Sequence, residues 1–329
     1  VVLYSSDGNA RTISGLNMSP DLVWSKRRSS AGRNVLTDSV RGVNKELFPN
    51  RTDAERTSTN GLTAFNSDGY TLGTDSGQYG WQANGQTFVN WAWDAGSSTV
   101  SNTDGSITSS VRASQTNGFS IVSWSGTSAN ATVGHGLNAA PEFIITKVRG
   151  MTSNWYCYHT GLTNATKYIW LNSNNAEGTQ TAAWNSTDPT SSVIHVGGEA
   201  EVNRNGYNTI AYCFAPVEGH SKFGSYEGNG SNDGVFVHTG FSVRWLLTKA
   251  SSHGSDWQLW DSARQSYNVN ANTLTPNSNG AETGSAGYAV DLLSNGFKFR
   301  MYGSSSNQSG YTYIWAAFAE HPFKTARAR

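Results

Sequence analysis

Five residues, Leu22-Val23-Trp24-Ser25-Lys26, return as Phe143-Ile144-Ile145-Thr146-Lys147 and again as Trp245-Leu246-Leu247-Thr248-Lys249. Each copy holds three apolar residues, one small hydroxyl and one lysine. Each lysine is followed, twelve positions on, by Asp38, His159 or Asp261. Three copies with one internal spacing constrain the fold more than any other feature, because they divide the chain into like parts. The apolar positions are consecutive rather than alternating, which is the pattern of a strand covered on both faces.

A second element recurs in step. Phe88-Val89-Asn90-Trp91-Ala92-Trp93, Thr209-Ile210-Ala211-Tyr212-Cys213-Phe214 and Tyr313-Ile314-Trp315-Ala316-Ala317-Phe318 each begin three positions after a glycine: Gly85, Gly206 and Gly310. The chain thus divides into repeat one at 1–95, a Ser/Thr/Asn-rich connector at 96–118, repeat two at 119–218 and repeat three at 219–329. A period of about one hundred residues is too long for a solenoid unit and suits a small sandwich of roughly eight short strands. The expected fold is all-β, three tandem β-sandwich-like repeats. The connector reads either as a short hairpin turning at Thr103-Asp104-Gly105-Ser106 or as a flexible strap. Helix is expected for at most one turn, at Asp53–Arg56.

Lys26 and Asp38 are symmetric about Gly32, Lys147 and His159 about Ser153, and Lys249 and Asp261 about Ser255. With hairpin loops centred there, each lysine faces its partner across the pair, an arrangement that contributes about 0.2–1 kcal/mol when the charges are opposite. In the middle copy, imidazole in place of carboxylate removes the full charge match.

Composition narrows the function. Aromatic residues make up 12% of the chain, including 12 Trp, which excludes a disordered chain; 35 Gly alongside them favour strands joined by turns. Net charge is +0 with only 14% charged residues, so nucleic acid is not an expected partner. No apolar run reaches the ~18 residues of a spanning helix, so membrane insertion is not expected either. The two cysteines, Cys157 and Cys213, read as small buried hydrophobes rather than a disulfide scaffold. The chain opens on Val1 rather than methionine, which implies processing or a longer parent.

Neither a nucleophile elbow nor a paired-histidine zinc motif nor a phosphate-cradling loop is written in the sequence, and no catalytic residue is assigned. Glu199 and Glu201, near His195, read as the solvated edge of a strand. The oxygen-rich turns Asn102–Ser106 and Asn229–Gly234 fall short of the about 6–8 oxygens calcium takes, so no metal or cofactor is expected. Trp24, Trp93, Trp155, Trp245 and Trp257 sit at repeat-equivalent apolar positions and read as core. Trp81, Trp170, Trp184 and Trp260 have no clear aromatic counterpart in all the other copies. Trp170 and Trp184 also lie among amides, with Asn172 and Asp188 nearby. Trp81, Trp170, Trp184, Asn172 and Asp188 are therefore the candidate contacts for a sugar ring or a protein partner, against the plainer reading of tryptophans covering a repeat junction.

Several ordered pieces carry a resemblance: the opening Tyr226-Glu227-Gly228-Asn229-Gly230, the turn Gly134-His135-Gly136-Leu137 with Pro141, and Asp21-Leu22-Val23-Trp24. With them go Asp38-Ser39-Val40-Arg41-Gly42 and the endings Trp91-Ala92-Trp93 and Ala317-Phe318-Ala319-Glu320. Together they resemble a repeat of structural proteins in tailed bacteriophages, notably those of marine cyanobacterial phages. Repeat three departs by lacking the turn proline, and repeat two by carrying His159. The resemblance implies a non-enzymatic virion surface protein (tail fibre, spike or capsid appendage) made in the host cytoplasm. Its implied partners are copies of itself in a homotrimer, other virion proteins, and a host-surface glycan or protein. The alternatives are a carbohydrate-binding module that uses exposed tryptophans and a glycan-cleaving spike, which needs two carboxylates at hydrolase separation.

Overall fold

The recurring pentapeptide is a strand each time, at Leu22–Arg27, Phe143–Val148 and Val243–Ala250. The computed structural model, which describes residues 1–74 and 80–321, places each of these pivot strands between two antiparallel neighbours. On one side is a closing strand: Thr87–Trp93, Asn208–Phe214 or Thr312–Ala319. On the other is a return strand: Asn34–Asp38, Tyr156–His159 or Gln258–Asp261. An opening strand, Val2–Ser5, Phe119–Ser125 or Ser221–Glu227, pairs with the far edge of the closing strand. The spatial order opening–closing–pivot–return therefore occurs in three sheets. Registers match as well: Leu22 lies across from Trp93, Phe143 from Phe214, and Trp245 from Phe318.

Alternation along each pivot strand explains its unbroken apolar run. Leu22 and Trp24, Phe143 and Ile145, and Trp245 and Leu247 all point into one core shared by the three sheets. The residues between them, Val23, Ile144 and Leu246, point outward into three separate cores. Each outward core is closed by a second, smaller layer. In the first this is Arg11–Ser14, Gly69–Leu72 and Leu62–Asn66; in the second, Ala131–Gly134 and Val193–Val196; in the third, Phe236–His238, Gly296–Phe299 and Val290–Leu293. Burying a large apolar side chain stabilises by about 1.5–3 kcal/mol, so strands covered on both faces dominate the cohesion of the molecule.

The fold is all-β as expected. The connector is a hairpin: Thr99–Asn102 pairs with Ser109–Ser114, which joins the edge of Phe119–Ser125. Asp53–Arg56 makes no helical turn. The short helix is at Ala200–Asn203, where a strand edge was expected; Glu199 caps it by accepting from the Glu201 backbone N–H. Glu201 in turn accepts from the backbone N–H of Asn154 at 2.7 Å, so neither carboxylate lies on a strand face beside His195. Cys157 and Cys213 are both free and buried, and they point to opposite faces of the second sheet.

Candidate functional site

The expected cross-strand pairs do not form. Lys26 lies across from Asn34, while Asp38 lies across from Leu22. His159 faces Phe143 and Asp261 faces Trp245. The hairpins are centred on Ser30, Met151 and His253, two residues earlier than Gly32, Ser153 and Ser255, and a two-residue shift of centre moves the partner by four. Lys26, Lys147 and Lys249 instead share another environment. Each side chain is fully buried, and among the described residues none forms an ion pair with a carboxylate.

The lysines hold seams between neighbouring sheets. Lys26 Nζ donates to Gly32 O in its own hairpin at 3.1 Å and to Ser278 O of the third unit at 3.0 Å. Lys147 donates to Ser153 and, at 3.0 Å, to Thr52 O of the first unit. Lys249 donates to Ala250 O at 2.6 Å and to Asn174 O of the second unit at 3.5 Å. Main-chain bonds run beside them: Gly32 N–H to Asn279 O, Ser153 N–H to Thr52 O, and Ser255 N–H to Asn174 O. The residue across from each lysine contributes a further bond. Asn34 donates to Pro276 O, the Trp155 indole to Phe48 O, and the Trp257 indole to Trp170 O. The three seams thus run in a ring, third unit to first, first to second, second to third. With only carbonyl and hydroxyl oxygens as partners, burial pushes all three lysines down from 10.5 to about 7.

Asp38, His159 and Asp261 bind across seams too. Asp38 accepts from Arg41 and from the Tyr212 hydroxyl at 2.8 Å. Arg41 continues to Glu55 at 3.1 Å, and Arg149 grips Glu55 with two bonds of 2.8 and 2.9 Å. Asp261 repeats this chain: it accepts from Arg264 at 2.6 Å and from the Trp91 indole at 3.0 Å. Arg264 then reaches Glu282, which Arg28 holds with two bonds of 2.9 Å. Burial works against the ionised form of Glu55, Asp261 and Glu282, but the arginines beside them outweigh it and hold all three below the usual carboxylate range.

His159 serves the remaining seam without charge. Its Nδ1 accepts from Gly161 N–H at 2.9 Å, so Nε2 carries the proton and donates to Trp315 O at 3.0 Å. Burial pushes this imidazole down to about 4. Around the axis of the ring the closing strands meet through Trp93, Phe214 and Phe318, whose ring centroids are 6.2, 5.9 and 5.7 Å apart pairwise.

The candidate contact residues disperse. Trp81 and Trp184 are 0% and 1% exposed inside outward cores, so neither presents a face to a ligand. Trp170 is half-buried at the second-to-third seam, where its carbonyl accepts from Trp257. Asn172 accepts from Trp155 N–H, beside the first-to-second seam. Asp188 is exposed and accepts from Tyr158 on the wall of a cleft of about 440 Å³ that also holds Glu142. A larger cavity of about 490 Å³ opens at the third-to-first seam, over Trp93. Among the described residues no cluster of three metal-ligating side chains occurs.

Sequence reading missed the arginine–glutamate chains. Their signal was present as Asp-x-x-Arg at Asp38–Arg41 and Asp261–Arg264, replaced by His159 and Leu162 in the middle copy.

Fold and seams define an all-β protein in which three sheets are joined around one core by buried polar contacts. The chain belongs to the family described as a domain of unknown function, DUF7483, whose profile matches residues 1–322. No curated protein and no solved structure matches it.

Proposed function

We propose that this chain is a structural and adhesive domain of a virion surface, of the tail-fibre, spike or capsid-appendage kind. It is read as three copies of one β-sandwich unit closed into a ring. The observation that supports this most is the set of seams. Lysines, carboxylates, indoles and imidazole that would serve chemistry in a cleft are instead buried between sheets, where they fix the three parts against one another. A rigid body with near-neutral charge suits contact with polysaccharide or protein rather than electrostatic capture. The resemblance of its recurring segments to phage structural repeats points the same way.

On this reading other virion proteins carry the chain, copies associate in threes through outer surfaces, and exposed loops meet the host. Immunogold labelling of purified particles with antibody against the chain tests it. Label on tail or capsid is expected, and unlabelled intact particles would overturn the assignment. Light scattering of the recombinant chain checks association, with three chain masses expected.

A further inference from the structure

We propose that the cavity at the third-to-first seam is a binding site for a neutral saccharide, one or two sugar rings in size. This rests on the attachment reading and names where the host surface would be met. At about 490 Å³ the cavity falls in the small-ligand range of roughly 300–1,000 Å³.

The first-to-second seam is covered by the connector hairpin, where Arg112 pairs with Asp21 at 2.7 Å. The second-to-third seam is covered by the short link into Ser221–Glu227, where Phe223 packs against Phe143 and Phe214. At the third-to-first seam the described residues leave a cavity beside Trp93, Arg244 and Glu320.

The lining suits a pyranose. Trp93 is half-buried, and its ring contacts among the described residues, with Phe214, Trp245 and Phe318, lie at 67°, 88° and 69°. None of these rings lies parallel on the indole, whereas a pyranose stacks its C–H face on one. Beside it Arg244 and Glu320 form a half-exposed pair at 3.3 Å, and Glu320 is further fixed by Ser262 and Ser242. The pair offers anchored donors and acceptors to hydroxyl groups, which need both. Within this pair one cation and one anion offset each other, so the pair itself favours neither an anionic nor a cationic ligand.

The test is calorimetric titration of the full chain with methyl glycosides of glucose, galactose, mannose and N-acetylglucosamine and their disaccharides, beside a cell-surface binding assay. At least one probe is expected to bind one-to-one. Trp93→Ala should weaken it at least tenfold and Glu320→Gln about threefold or more. Should Trp93→Ala fail to fold, Met18→Trp, which adds bulk to the cavity lining, replaces it with the same expectation. Cell-surface binding without saccharide binding, or saccharide binding indifferent to these variants, overturns the site but leaves the attachment reading standing. Loss of both kinds of binding in the folded wild-type chain removes both, and tighter binding of a sulfated probe would overturn the neutral class.

Discussion

The first-to-second and second-to-third seams do the same mechanical work with opposite chemistry. The former is charged, running Tyr212–Asp38–Arg41–Glu55–Arg149 through buried space. In the latter four of the five members differ. His159 stands for the aspartate, Leu162 for the arginine, Ala316 for the hydroxyl-bearing Tyr212, and Ser251 for Arg149. Glu177 is retained, with its N–H on Ser251 O, but its carboxylate turns to Thr163 and Lys167 instead. The lesson is that a buried network is replaced as a set. A carboxylate at 159 would have neither arginine nor aromatic donor, so an imidazole that bonds main chain on both sides takes its place.

The largest test of this contrast is to break one charged seam. Arg264→Leu leaves Asp261 buried with only the Trp91 indole and the Arg264 backbone N–H, and should cost about 3–5 kcal/mol in chemical denaturation. His159→Leu in the neutral seam keeps most of the side-chain volume but leaves Gly161 N–H and Trp315 O without the imidazole, and should cost about 1–3 kcal/mol. Equal costs would erase the distinction.

A sharper form writes charge into the neutral seam. His159→Asp should destabilise by about 3 kcal/mol, and adding Leu162→Arg should recover at least about 1 kcal/mol of it, since the arginine then faces a carboxylate as Arg41 does. A double variant no better than the single would mean that the set is not transferable.

A last effect concerns the lysines, which all three seams share. Their folded value of about 7 lies below the ordinary 10.5, so above pH 7 the unfolded chain binds more protons and stability rises with pH. Each lysine contributes at most about 1.4 kcal/mol per pH unit between pH 7 and 9. Above that range the buried cysteines and tyrosines, whose pKa values are raised on folding, act in the opposite sense. Denaturation at pH 7 and 9 should show the rise, and Lys249→Met should remove about a third of the slope. A flat profile would mean that the lysines reach water.

Much of this was legible in the residues. Three apolar runs gave three strands covered on both faces, and the glycine-phased closing strands gave their partners. The hairpin register was not legible, because nothing at Gly32, Ser153 or Ser255 marks the turn centre, and a loop of flexible length leaves the pairing open by several residues. Trp81 and Trp184 misled because polar neighbours in sequence say little about which face an indole turns to. Only packing from the outer layer, distant in the chain, decides that. The seams were hidden for the same reason: Arg28 meets Glu282, and Lys147 meets Thr52, across separations no local pattern encodes.

That three sheets belong to one polypeptide has a consequence for how such a body can change. In an assembly of three identical subunits every substitution appears in triplicate, so a loss that one contact tolerates is imposed on all. Here each contact can drift by itself. One seam is without the ion chain and another holds a cavity, while the third has neither difference; asymmetry of this kind is open only to sheets carried on one polypeptide.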